Sequence, residues 1–188
     1  ERGFGYTIGH SLRRIMLSYM PGAAVTEAKI EGISHEYGTI EGVKEDILDI
    51  LLNLKDLAIK LDGITEAEIK LNIKTPKTVT ASDLELPAGV EVMDANHVIA
   101  TLVEPKKLIM TLKVQRGIGY VPAESKKDKN IDSLHLDAIY SPVKKVNYKV
   151  ENARVENRTD LDKLILDLET DGTIDAKQAV KYAATIMQ

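Results

Sequence analysis

The sequence offers few groupings that could do chemistry, and the first is Gly3-Phe4-Gly5-Tyr6-Thr7-Ile8-Gly9 at the start of an apolar-periodic segment. Glycines there would let backbone N–H groups close on a phosphate at a helix N-terminus. The spacing argues against it. A dinucleotide fingerprint needs glycine where Ile8 stands, and a phosphate loop needs a Gly-Lys-Ser/Thr ending that is missing. Turn and close-packing glycines are the simpler reading. Ser34-His35-Glu36 gathers nucleophile, base and acid, but adjacent residues do not make a triad, and Glu36 takes the place of the second glycine of a nucleophile elbow. His10, His35, His97 and His135 have no paired metal spacing. Asp160 and Asp162 would share one side of a strand and could face a divalent cation, but Arg158 and Lys163 beside them favour a solvated turn. Lys106-Lys107, Lys126-Lys127-Lys129 and Lys144-Lys145 read as solvated surface rather than a phosphate track. No catalytic residue, metal site or cofactor is expected.

Composition agrees. The 188 residues carry 25 Lys+Arg against 29 Asp+Glu, a net charge of −4, with seven Tyr, one Phe and no Trp. A free-standing nucleic-acid binder would show a basic surplus and stacking aromatics, so direct DNA binding is not expected. The absence of cysteine excludes disulfides and thiolate chemistry and suits a reducing compartment; a cytoplasmic location is expected. No apolar run is long enough to span a bilayer, and Glu1-Arg2-Gly3-Phe4-Gly5 does not read as a signal peptide.

The elements that would position any site follow from periodicity. Ile8, Leu12, Ile15, Met16 and Tyr19 form a helical stripe over 7–20, with Thr7 as N-cap and Pro21-Gly22 as stop. A strand follows over 25–31 and a second helix over 43–54, on Val43, Ile47, Ile50, Leu51 and Leu54. Alternation at 57–61 and 67–73 around Asp62-Gly63 predicts a hairpin. Weak patterns occupy 75–105. A strand at 108–114 enters a loop at 115–122, on account of Gly117 and Gly119, and residues 125–130 read as a solvated loop. Strands are expected within 134–140, 146–150 and 164–168. A last helix begins at a capping box of Asp175 and Gln178, and Ala176, Ala179, Val180, Ala183 and Met187 share one face. The fold class is α+β without repeated βα units, and a small domain built from both chain ends around an inserted β-rich domain fits the order. Pattern alone leaves open whether the two terminal helical stripes are an interface or the core of one chain.

Those segments also carry a family resemblance. Gly9-His10-Ser11-Leu12-Arg13-Arg14-Ile15-Met16-Leu17-Ser18, followed by Pro21-Gly22-Ala23-Ala24-Val25, resembles the amino-terminal domain of the bacterial RNA polymerase alpha subunit. Colinear matches follow at His35-Glu36-Tyr37, Gly42-Val43-Lys44-Glu45-Asp46-Ile47, Leu52-Asn53-Leu54-Lys55, Val114-Gln115-Arg116-Gly117-Ile118-Gly119-Tyr120-Val121-Pro122 and Tyr140-Ser141-Pro142-Val143. Arg154-Val155-Glu156-Asn157-Arg158-Thr159-Asp160 and Asp171-Gly172-Thr173-Ile174-Asp175 complete the run. Ile118 stands where the family usually has a second arginine, and His10, Ser11 and Tyr19 are unusual choices on the first helix.

The resemblance implies a non-catalytic assembly subunit of DNA-directed RNA polymerase that dimerises and forms the platform for the beta and beta-prime subunits. It implies a dimerisation domain of residues 1–21 and 142–188 around an inserted domain of 22–141. The implied dimer interface is Ile8, Leu12, Ile15, Met16 and Tyr19 with Ala179, Val180, Ala183 and Met187. The implied large-subunit contacts are Arg14, Lys55, Asp137, Tyr140, Ser141, Pro142, Val143, Arg154 and Glu169. The partner across the dimer would be a second alpha copy, identical or, given the unusual first helix, non-identical.

Overall fold

A computed structural model describes residues 1–125 and 131–188. The loop expected through 126–130, with Lys126, Lys127 and Lys129, lies outside the described residues. Among the described residues three helices, α1 (Phe4–Ser18), α2 (Ile47–Lys55) and α3 (Ala176–Met187), accompany twelve strands. In chain order these are β1 (Pro21–Ile30), β2 (Ile59–Leu61), β3 (Glu66–Ile73), β4 (Lys77–Thr80), β5 (Val90–Val92), β6 (Val98–Leu102), β7 (Leu108–Ile118), β8 (Tyr120–Val121), β9 (Leu134–His135), β10 (Ala138–Ile139), β11 (Val143–Val155) and β12 (Arg158–Thr170). The fold is α+β, with helices at both ends of a β-rich middle. It divides into one unit of Glu1–Pro21 with Ser141–Gln188 and a second unit of Gly22–Tyr140. Ser141 thus goes with the chain ends rather than with the insert, because its hydroxyl donates to the Met16 carbonyl at 2.8 Å.

The terminal unit is a two-stranded antiparallel ribbon, β11 with β12, carrying α1 and α3. Helix α1 starts at Phe4 rather than after Thr7, and its N-cap is Gly3 in the left-handed region at φ 90°. The helix lies very close to the ribbon. A Cβ on Gly5 would stand 2.8 Å from Val150 Cγ1, and one on Gly9 would stand 2.7 Å from Tyr148 Cδ2. Those two glycines therefore serve backbone approach, at a helix-propensity cost of about 1 kcal/mol each. Leu12, Met16, Met20, Val143, Val146, Ala179 and Ala183 close the core of this unit. Burying side chains the size of Leu12 and Met16 contributes about 1.5–3 kcal/mol each. At α3 the N-cap Asp175 makes no side-chain hydrogen bond, so the expected capping box with Gln178 does not form.

The inserted unit is built on a six-stranded sheet in the order β3-β7-β1-β2-β5, with β9 also pairing with β1. Alternation sets its faces: Ile69, Leu71 and Ile73 of β3 and Leu108, Met110, Leu112 and Val114 of β7 are buried, while Glu66, Glu68 and Lys70 face outward. Helix α2 starts where Asp46 accepts the Asp49 N–H at 2.8 Å and adds Ile47, Ile50 and Leu54 to the core. Two expectations fail here. The strands flanking Asp62-Gly63 do not form a hairpin: β2 pairs with β1 and β5, and β3 pairs with β7. Local alternation fixes which side faces the core but not the neighbour. Likewise Gln115 to Ile118 continues β7 instead of forming a loop, because Gly117 lies flat under the Tyr140 ring, where a Cβ would stand 2.4 Å from Cε2.

Candidate functional site

The expected dimer residues separate into two groups. Leu12, Met16, Ala179 and Ala183 are fully buried in the core of their own unit, so their side chains are spent on the chain's own fold. Ile15 and Val180 are half-buried, and Ile8, Tyr19 and Met187 are exposed. The exposed members belong to a flank beside the buried stripe. On α1, Phe4, Ile8 and Ile15 recur at i, i+4 and i+11, with Tyr19 at the C-cap, and Phe4 keeps 57% of its surface in water. On α3, Tyr182, Ile186 and Met187 are exposed as well. The wide stripe of the sequence therefore holds a core half and a surface half.

The anion at the start of α1 belongs to the protein itself. Asp162 Oδ2 accepts the N–H of Gly3 at 2.9 Å and of Gly5 at 3.1 Å, which satisfies two of the donors a helix leaves open and meets its positive end. Asp160 turns instead to Arg158, whose Nη2 stands 3.2 Å from Oδ2. The two carboxylates therefore have different partners, and no grouping fit to hold a metal ion occurs among the described residues. Arg13 donates from Nε to the Val146 carbonyl at 3.0 Å, and its neighbour Arg14 is left exposed on the helix.

The residues implied as large-subunit contacts are likewise sorted by burial. Tyr140, Ser141, Pro142 and Val143 are buried, so they set the backbone and present little side chain to a partner. Tyr140 packs with Ala24, Ala138 and Val121, and this burial pushes its phenol above the ordinary range. In the terminal unit Arg154 and Glu169 are exposed, and Arg154 Nε donates to the Glu156 carbonyl at 3.2 Å. Glu156 begins the hairpin turn at φ 55°, a left-handed conformation a non-glycine residue seldom takes.

In the inserted unit Lys55 and Asp137 come together, with Nζ 3.8 Å from Oδ2. Asp137 also accepts the Ala123 N–H at 2.8 Å and a hydrogen bond from the Tyr120 hydroxyl. Lost hydration first, then the Asp137 charge and this hydrogen bond, then Glu124, hold the Tyr120 phenol above its ordinary value, so it remains a donor. Lys55 and Asp137 stand on the wall of an open groove of about 440 Å³, whose floor includes Leu48, Leu51 and Leu52 of α2. Sequence reasoning did not find this groove. Its signal was present: Leu48, Leu52 and Lys55 recur at i, i+4 and i+7 on the side of α2 away from Ile47, Ile50 and Leu54. Of the histidines, His97 Nε2 lies 2.6 Å from the Asn53 carbonyl and His135 Nδ1 lies 3.8 Å from Glu27, while His10 and His35 are exposed. Ser34-His35-Glu36 stays in an irregular segment.

Residues 28–141 match the family model of the RNA polymerase Rpb3/RpoA insert domain, more than half of the chain. The α+β architecture with a β-rich insert between helical ends agrees with that match, and the chain belongs to this family. It is an alpha-type amino-terminal domain, a subunit of the DNA-directed RNA polymerase that carries out transcription. Among the described residues no helix is long and apolar enough to cross a membrane.

Proposed function

We propose that this chain is the assembly subunit of a bacterial DNA-directed RNA polymerase, pairing with a second alpha copy and then carrying the beta and beta-prime subunits in the cytoplasm. The observation that supports it best is the unspent apolar surface of the terminal unit. Phe4 and Ile8 on α1, Tyr19 at its C-cap, and Tyr182, Ile186 and Met187 on α3 remain exposed although the same helices already bury a core. Several large apolar side chains left exposed on the helices of one small unit point to a protein interface. A two-fold interface uses each such residue twice, so two short helices per chain supply a substantial patch. In this reading Ile8, Ile15, Tyr19, Val180 and Met187 meet the second copy, while Leu12, Met16, Ala179 and Ala183 hold the helices beneath them.

Arg14, Lys55, Asp137, Arg154 and Glu169 are the polar positions for the large subunits, with Tyr140, Ser141, Pro142 and Val143 setting their local backbone. The subunit contributes surface rather than catalysis, and no cofactor is assigned to it. Arg14 gives the cleanest test, because it is exposed and outside the core of its unit. Arg14→Ala is expected to leave the helical circular dichroism and the dimer unchanged while co-expressed beta subunit is captured about tenfold less well, the loss of one charged anchor. Undiminished capture would remove Arg14 from the interface.

A further inference from the structure

The opening turns of α1 are held to their unit without a buried apolar side chain of their own. From Phe4 to His10 the buried residues are Gly5 and Gly9, and the first side chain of the helix to enter the core is Leu12. Phe4 and Tyr6 keep 57% and 61% of their surface in water. The first intrahelical bond, from the Thr7 N–H to the Gly3 carbonyl, is long at 3.4 Å. A helix end with so little burial frays unless something else fixes it. Here that is Asp162. Its Oδ2 accepts the N–H of Gly3 at 2.9 Å and of Gly5 at 3.1 Å, so one oxygen grips the amides on either side of Phe4. The carboxylate is itself well placed. It stands opposite Asn152 in the ribbon register, on the side of β12 that carries Leu164, Leu166 and Leu168 against the core.

We propose that Asp162 is a positioning residue for dimerisation: by holding the amides of Gly3 and Gly5 it fixes Phe4 in the place where a second copy of the chain meets it. The proposal rests on the reading of the terminal unit as the dimer surface and adds a residue that acts on that surface from behind. Phe4 is the one phenylalanine of the chain. An aromatic side chain on a fraying turn has to be ordered on association, and that ordering lowers affinity. On a turn already fixed in the free chain the loss is avoided, and in a two-fold contact it is avoided twice. Val150, Tyr148 and Leu164 beneath Gly5 and Gly9 set how closely the helix approaches the ribbon, but the grip ahead of Gly5 comes from the carboxylate.

The test is a double-mutant cycle on the dimer dissociation constant of the full chain, measured by sedimentation for the parent, Phe4→Ala, Asp162→Ala and the double variant. Phe4→Ala alters exposed surface and is expected to raise the constant about tenfold, the effect of removing an aromatic anchor. Asp162→Ala is expected to raise it about tenfold as well. In the Phe4→Ala background the same change should raise it less than about threefold, because the side chain to be positioned is gone. A role in general stability alone would weaken the dimer equally with and without Phe4, so equal effects overturn the proposal. An Asp162→Ala chain that dimerises like the parent overturns it too. Phe4→Ala decides independently of how Asp162→Ala folds, since an unchanged constant there means that Phe4 meets no partner and leaves Asp162 nothing to position. A parent chain that stays monomeric refutes the dimer reading itself, a result distinct from every variant outcome.

Discussion

Asp162 stands over the first turn of α1, one carboxylate oxygen 3.1 Å from the amide of Gly5, although the two residues are 157 positions apart. The same oxygen holds the Gly3 amide, so the far strand of the ribbon caps the first helix of the chain. The contact explains the glycines at the amino end. Gly5 and Gly9 admit the Asp162 carboxylate and the Val150, Tyr148 and Leu164 side chains of the ribbon, and the helix arrives with its apolar flank facing away from the core.

Removing that cap gives the first prediction. Asp162→Ala should destabilise the terminal unit by about 1–2 kcal/mol, the usual cost of a lost N-cap acceptor with its charge, and Asp162→Asn by less. Urea unfolding followed by helical circular dichroism measures it. An unchanged midpoint for Asp162→Ala would show that the contact does not bear on stability.

A second prediction concerns Gly117 and Tyr140. A methyl at Gly117 would stand 2.4 and 2.5 Å from the Tyr140 ring atoms Cε2 and Cζ. The ring is buried and cannot swing aside, so Gly117→Ala should cost about 1–3 kcal/mol as overpacking. Tyr140→Leu alone should also destabilise by leaving a void, but in the Gly117→Ala background it should cost at least about 1 kcal/mol less. Additive effects would contradict the contact.

Asp83 carries a pH prediction. Burial pushes its carboxyl up, but the Lys77 hydrogen bond, the Thr80 amide and the Lys77 charge together hold it below its ordinary value. A carboxylate lowered in the folded state adds stability above its unfolded pKa of about 3.9, and loses that contribution as pH falls through the folded value. Asp83→Asn should therefore destabilise the protein near pH 7 and narrow its difference from the parent below pH about 4. A constant difference between pH 7 and pH 3 would contradict the assignment.

The sequence carried the element types more clearly than their partners. Helical stripes and strand alternation located α1, α2, α3, β3 and β7 within a few residues, because burial on one face imposes a period. Pairing is a long-range matter, and Asp62-Gly63 looked like a hairpin turn only because nothing local shows that β3 lies against β7. Gly117 read as a loop for a similar reason: the Tyr140 ring that needs the space is far along the chain. On the surface, charge and type marked Arg14 and Lys55 only through the family resemblance. The stripe on α1 could not be divided into core and surface until the ribbon was in place. Leu12 is buried in the core of its own unit, so Leu12→Asp would disrupt that unit whether or not the chain dimerises.

Ile8, exposed on the flank, is the sound probe, and the molar mass of the chain in solution tests dimerisation most directly. Sedimentation equilibrium at micromolar concentration should give twice 20.7 kDa for the chain. Ile8→Asp with an unchanged circular dichroism spectrum should give a single copy, since an unpaired carboxylate would be buried twice in a two-fold apolar contact. A mass of 20.7 kDa for the unsubstituted chain throughout that range, or an undiminished dimer of the Ile8→Asp variant, would contradict it.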